Sequence, residues 1–330
     1  MTLESFITGM PKAELHLHLE GTLEPSLIAV LAERNGIDMV IAENNFTDLT
    51  TFLAAYYPNM TVLVTADDFY ELAWAYLQKA RSQNVLHAEM FFDPQAHTSR
   101  GIPFATVIEG YHRAVMQARA ELDMSAELIL CILRDHSVDS AEETLAAALF
   151  YKEWIVGIGL DSDERDNPPA KFAAVFAKAR EAGFKLTMHC DVDQVGSIEN
   201  IRAVIEDIGV DRIDHGTNIV EDFRLVELAK EKGIGFTSCP LSNGIVSEGM
   251  KTLELVSLLR ADVKITVNSD DPAYFNGYVT ENLLALTDVT DLERDEYVQL
   301  QRNAFEISWV SDARRAELLA ALDAYASAGL

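Results

Sequence analysis

The sequence predicts a (β/α)8 TIM barrel with a helical insertion after strand 1 and extra C-terminal helices. Three observations lead there. Short, apolar, β-rich runs alternate with longer stretches of helical periodicity. Eight such runs occur, at 13–19, 85–92, 127–133, 155–160, 185–189, 212–214, 235–238 and 263–268. No Gly-rich turn follows the first run, as an open doubly wound sheet would normally show. Strands that alternate with helices pair in parallel through right-handed crossovers, and eight such units close on themselves. The 330 residues suit one barrel with insertions, and no repeat or Gly/Ser- or Pro-rich linker divides them, so a single domain over 1–330 is expected.

The first run reads Glu14-Leu15-His16-Leu17-His18-Leu19-Glu20-Gly21. Side chains on a strand alternate faces, so His16 and His18 share one face while Leu15, Leu17 and Leu19 meet the helices. The connection that follows is long. It holds one helix near 25–34 and a second apolar-periodic stretch near 46–57, a candidate lid over the barrel mouth. A helix over 67–81 follows, with Asp67 or Asp68 as N-cap and Leu72, Tyr76 and Leu77 inward. On the second strand Glu89 faces the barrel interior, where Arg134, at the end of strand three, is the expected partner. Pro168 and Pro169 open a later helix that Gly183 ends. Strands five and six end in His189 and His215, and strand eight runs into Asp270 and Asp271. Residues 280–330 read as helices packed outside the barrel.

Composition removes several function classes. With 53 acidic and 26 basic side chains the net charge is −27, which repels phosphate and argues against nucleic acid and anionic membrane. No apolar run approaches the roughly 18 residues of a membrane span. The start, MTLESFITGMPKAELH, lacks the pattern of a signal peptide. Cys131, Cys190 and Cys239 are too far apart for a CxxC pair, which excludes a disulfide framework and points to a reducing cytoplasm.

Alone, the His-x-His pair could be two hydrogen-bonded core histidines. The other strand ends change that reading. The chain has 8 histidines, and His16, His18, His189 and His215 all fall at the C-terminal ends of predicted strands, the face where such barrels gather catalytic groups. Three imidazoles and one carboxylate suit Zn²⁺ or a similar borderline metal with one position open to water.

These residues carry a resemblance. HLHLEG, GIGLDSDE, the strand-five His189, DHGT, SCP and VNSDDP are similar, over about residues 11–278, to the adenosine and adenine deaminases of the amidohydrolase superfamily. HAEMFFDPQAHTSRG and GLDSDERDNPP resemble the adenine-type branch more. The resemblance implies a metal-dependent hydrolase with one zinc held by His16, His18, His189 and Asp270. His215 would orient the attacking water and stabilise developing charge. Asp271 would hydrogen-bond the purine ring at N7, and Ser162 and Glu20 would lie near the base. The implied reaction replaces the 6-amino group of a small purine, with adenine to hypoxanthine plus ammonia as first choice. Binuclear relatives bridge two metals with a carboxylated lysine. Strand four here ends Gly159-Leu160-Asp161-Ser162 with no lysine, which favours one metal.

One motif departs from the pattern. The family reads His-Ala-Gly-Glu after strand five, with the glutamate shuttling a proton to N1. Here the chain reads His189-Cys190-Asp191-Val192-Asp193-Gln194-Val195, and Val192 cannot carry a proton. If the loop has gained two residues, Gln194 falls on the glutamate position and could only donate a hydrogen bond. Asp191 or Asp193 is expected to take over the shuttle, with a slight preference for Asp193. A rebuilt loop also opens two substrate alternatives, N6-substituted adenines and adenosine-type nucleosides. A zinc-bound purine-binding protein without activity is the remaining reading, and oligomeric state stays open.

Overall fold

The computed structural model describes residues 1–39, 41, 45–190 and 195–328. Eight strands form one barrel: β1 (Lys12–Glu14), β2 (Val85–Phe92), β3 (Ser125–Leu133), β4 (Ile155–Asp161), β5 (Lys185–Cys190), β6 (Arg212–His215), β7 (Gly235–Ser238) and β8 (Ile265–Val267). They lie in chain order and every adjacent pair is parallel. Closure falls just beyond β1 and β8. There Leu17 bridges Asp270, with Asp270 N donating to His16 O at 3.1 Å and His18 N donating to Asp270 O at 3.0 Å. The first strand is thus shorter than the expected 13–19. Past Glu14 the segment pairs only at single bridges, Leu17 with Asp270 and His18 with Phe91, because it divides its hydrogen bonds between the two flanking strands.

Strand alternation separates two cores. Outward residues such as Leu15, Leu17, Leu19, Met90, Leu130, Leu160 and Met188 join one large apolar layer beneath the helices. Inside the barrel, Phe91, Ile129 and Cys131 form a small separate cluster. Lower in the barrel the fill is polar. Arg212 pairs with Glu89 at 2.6 Å, both fully buried, and its guanidinium stacks 4.1 Å from the Trp309 ring. Gly157 makes room for that indole, since a Cβ there would meet Trp309 and the Lys185 carbonyl. The expected Glu89–Arg134 pair does not form. Glu89 lies mid-strand, level with the start of β6. Arg134 follows β3 at the other end of the barrel, where it donates to the carbonyls of His189 at 2.8 Å and Asn167 at 2.9 Å.

Four helices precede or follow β1: α1 (Leu3–Gly9), α2 (Pro25–Asn35), α3 (Leu49–Asn59) and, before β2, α4 (Ala66–Ser82). Helix α1 was not expected, because its seven residues are too few for a periodic signal. The cap of α4 is Thr65, not Asp67 or Asp68. Thr65 accepts from Asp68 N while the Asp68 carboxylate accepts from Thr65 N, a capping box that starts upstream of both expected caps. The expected insertion is α2 with α3, and the expected C-terminal helices are Val279–Val289, Arg294–Ile307 and Asp312–Ala328. Among the described residues no helix is long and apolar enough to cross a membrane.

Candidate metal centre and active site

The C-terminal ends of β4, β5, β6 and β8 and the segment after β1 converge on one buried cavity. At its floor one ligand atom each from His16, His18, His189 and Asp270 lie within 4.8 Å of one another. His18 Nε2 is 3.1 Å from His189 Nε2, and Asp270 Oδ1 is 3.3 Å from His16 Nε2 and 3.5 Å from His18 Nε2. Four ligands around a tetrahedral zinc with bonds near 2.0–2.1 Å stand about 3.3 Å apart. The donor spacing therefore fits such an ion. His16 Nε2 is buried without a hydrogen-bond partner, which leaves its lone pair to a metal.

Electrostatics agree. Burial pushes His18 down to about 4 and His189 well below its usual value, with the charge of His16 adding to the effect in both. Against burial, Asp270 and Asp214 raise His16. Burial opposes ionisation of Asp270, yet the neighbouring His16 holds it well below the ordinary carboxylate range. His18 and His189 thus stand as neutral imidazoles beside one ionised carboxylate, the forms a metal binds.

His215 and Asp271 stand beside this set. Period two would send His215 outward, because Asp214 points in. A left-handed backbone at His215, φ 57°, returns its ring to the cavity, with Nε2 3.7 Å from Asp270 Oδ2. Burial, with His16 adding, pushes His215 down to about 4, so it enters as a neutral base near pH 7. Ser162 (φ 74°), just after β4, and Asp270 (φ 64°), shortly after β8, share the strained backbone, so three strand ends carry a non-glycine left-handed residue at the cavity. Burial and the adjacent Asp270 raise Asp271 well above the carboxylate range, and its Oδ1 has no hydrogen-bond partner.

Ser162 lines the cavity and hydrogen-bonds Tyr57 Oη at 2.7 Å. Glu20 is placed differently from the sequence expectation. It is fully buried behind Asp93, accepts from His97 Nε2 at 2.9 Å and Tyr111 Oη at 2.9 Å, and does not line the cavity. Asp191, Asp193 and Gln194 lie outside the described residues. Asp93, Asp161, Phe52, Tyr56, Tyr57 and Phe275 also line the cavity, although none was expected as a site residue. Asp161 ends β4, and that strand-end position was the available signal. The aromatics come from the insertion and from the segment after β8, where they pack as one apolar cap.

The family model described as adenosine deaminase matches residues 11–325. The chain belongs to the adenosine deaminase family. An uncharacterized deaminase of Schizosaccharomyces pombe is 49% identical over 99% of this chain and 98% of its own. The adenine deaminase of Hahella chejuensis is 44% identical over 98% of this chain and 99% of its own. Among solved structures, an adenine deaminase from Arthrobacter aurescens superposes with a TM-score of 0.92 at 40% identity, covering 97% of this chain and all of that one. An amidohydrolase from Burkholderia ambifaria with bound Zn superposes at 0.91 with 26% identity, covering 98% and 93%.

Proposed function

We propose that this chain, acting as one barrel domain, is a zinc-dependent hydrolase that converts adenine and water to hypoxanthine and ammonia. The observation that carries this reading is the buried His16, His18, His189 and Asp270 set with His215 and Asp271 at its edge. Its relatives of similar length named adenine deaminase support the substrate. When bound, zinc would supply a nucleophile at neutral pH by lowering the pKa of a water molecule. His215 accepts a proton and stabilises charge as C6 is attacked. Asp271 hydrogen-bonds N7 and sets the ring so that C6 faces the metal end. Phe52, Tyr56 and Phe275 cover the ring and exclude bulk water. Glu20, through His97 and Tyr111, supports the wall that carries Asp93. No Lys or Arg lines the cavity among the described residues, which favours a base or nucleoside over a phosphate-bearing nucleotide.

The proton shuttle to N1 falls to Asp191 or Asp193 in the strand-five loop, with Gln194 as a hydrogen-bond donor. Asp191→Asn and Asp193→Asn test this one at a time. At least one change is expected to lower kcat more than about tenfold, about 1.4 kcal/mol. If neither does, the shuttle lies elsewhere.

Asp271 depends on Gly21. A Cβ at Gly21 would come within 2.7 Å of the Asp271 Cα, so Gly21→Ala must displace Asp271. The expected result is a fall in kcat/KM of about 10²-fold with zinc content unchanged, because misplacing a positioning group by an ångström costs on that order.

Parallel assays on zinc-loaded enzyme test the substrate. Adenine, adenosine, adenosine monophosphate and N6-isopentenyladenine are followed by ultraviolet change, with separate detection of ammonia and amine. Release of ammonia from adenine alone supports the proposal. Preferred turnover of the N6-alkyl purine would move it to amine release. Tight adenine binding with no turnover would reduce the chain to a binding protein.

A further inference from the structure

For the three imidazoles to offer Nε2 to one ion, each must carry its proton on Nδ1. His189 does so through a partner that can only accept, since its Nδ1 is 3.0 Å from the Leu160 carbonyl. His18 Nδ1 faces Asp161 Oδ2 at 3.4 Å. His16 is different. His16 Nδ1 is 2.8 Å from Thr237 Oγ1, and a hydroxyl can donate or accept. That contact alone leaves the His16 tautomer open.

Asp214 removes the ambiguity. Thr237 Oγ1 donates to Asp214 Oδ1 at 3.0 Å, and Thr187 Oγ1 donates to Asp214 Oδ2 at 2.6 Å. Thr237 has a single hydroxyl proton. Once that proton goes to the carboxylate, the oxygen can only accept from His16 Nδ1–H. His16, Thr187, Asp214 and Thr237 are all fully buried, so no water competes for these bonds.

We infer that Asp214 and Thr237 are positioning residues that lock His16 in the tautomer and orientation that present Nε2 to the metal. The inference rests on the proposed zinc reading. A carboxylate oriented behind a ligand imidazole raises its basicity, and losing such a partner typically costs 10–100-fold in metal affinity. The alternative is that Asp214 only fills the barrel as a neighbour of Arg212, whose Nε lies 3.8 Å away. In that case substitution would change stability without changing affinity.

Zinc affinity, measured by competition with a chromogenic chelator, separates the two, with circular dichroism and urea denaturation reporting the fold. Thr237→Val is expected to bind zinc about 10–100-fold more weakly, while Thr237→Ser, which keeps the hydroxyl, stays within about threefold of wild type. Asp214→Asn serves if Thr237→Val does not fold. Its amide can donate to Thr237, which frees the hydroxyl to donate to His16 and selects the wrong tautomer, so the same loss is expected. If wild type binds one zinc and either folded variant binds it equally well, the inference is overturned while the zinc reading stands. If wild type takes up no zinc, the metal reading falls and the inference with it.

Discussion

Asp270→Ala is expected to lose its zinc on dialysis and at least about 10³-fold in kcat/KM, about 4 kcal/mol of transition-state stabilisation. Asp270 supplies the only carboxylate in the four-residue set, and the set is buried. Without it three imidazoles remain, no anion offsets the charge of the ion, and His215 loses the carboxylate 3.7 Å from its Nε2. Residual activity comes from substrate positioning alone. The variant is expected to fold, because the backbone bridge to Leu17 does not use the carboxylate. Zinc analysis and steady-state kinetics on the same sample decide it. A variant that keeps a full equivalent of zinc and turns over within tenfold of wild type would remove Asp270 from the centre.

Glu89→Ala is expected to cost about 3–5 kcal/mol of stability, because it leaves the Arg212 guanidinium as an unpaired buried charge. Both side chains are 0% exposed, so water cannot take the place of the missing carboxylate. Glu89 also holds His87 Nε2 at 3.1 Å and accepts from the Trp309 backbone N–H. The urea midpoint should fall accordingly, while the folded fraction keeps its zinc, since none of these groups reaches the cavity.

The same pair predicts a pH dependence. Burial alone would raise Glu89, but Arg212, with His87 and the Trp309 N–H, outweighs it and holds Glu89 at about 2, down from 4.5. A carboxylate depressed by folding contributes stability that is fully present above its unfolded value and is lost as pH falls through the folded one. Wild type should therefore lose stability between pH 4.5 and 2. Glu89→Gln, with no charge to titrate, should lose less across that window. Equal slopes for the two would refute the pairing.

Much of the barrel was legible because period two acts locally. His16 and His18 against Leu15, Leu17 and Leu19 follow from spacing alone, as do the strand-end positions of His189, His215 and Asp270. What was not legible depends on which depths of different strands meet. Glu89 could have met Arg134 or Arg212, and sequence offers no measure of depth inside a barrel. Period two also cannot foresee that φ 57° at His215 turns a side chain of outward parity back into the mouth. The resemblance placed Glu20 near the base. A short helical turn over Glu20–Thr22 breaks the strand alternation and buries it behind Asp93 instead. Tyr56 and Tyr57 lie in the stretch expected as a lid, but aromatics in such a stretch are as readily core, and only the folding of α3 across the mouth brings them into the cavity.

A zinc titration of metal-free enzyme, with adenine turnover as the readout, decides whether this chain is a one-zinc adenine hydrolase. Hypoxanthine and ammonia are expected in equal amounts, with the rate rising linearly to a break at one zinc per chain. A break at two equivalents, or a rate indifferent to zinc, would contradict that assignment.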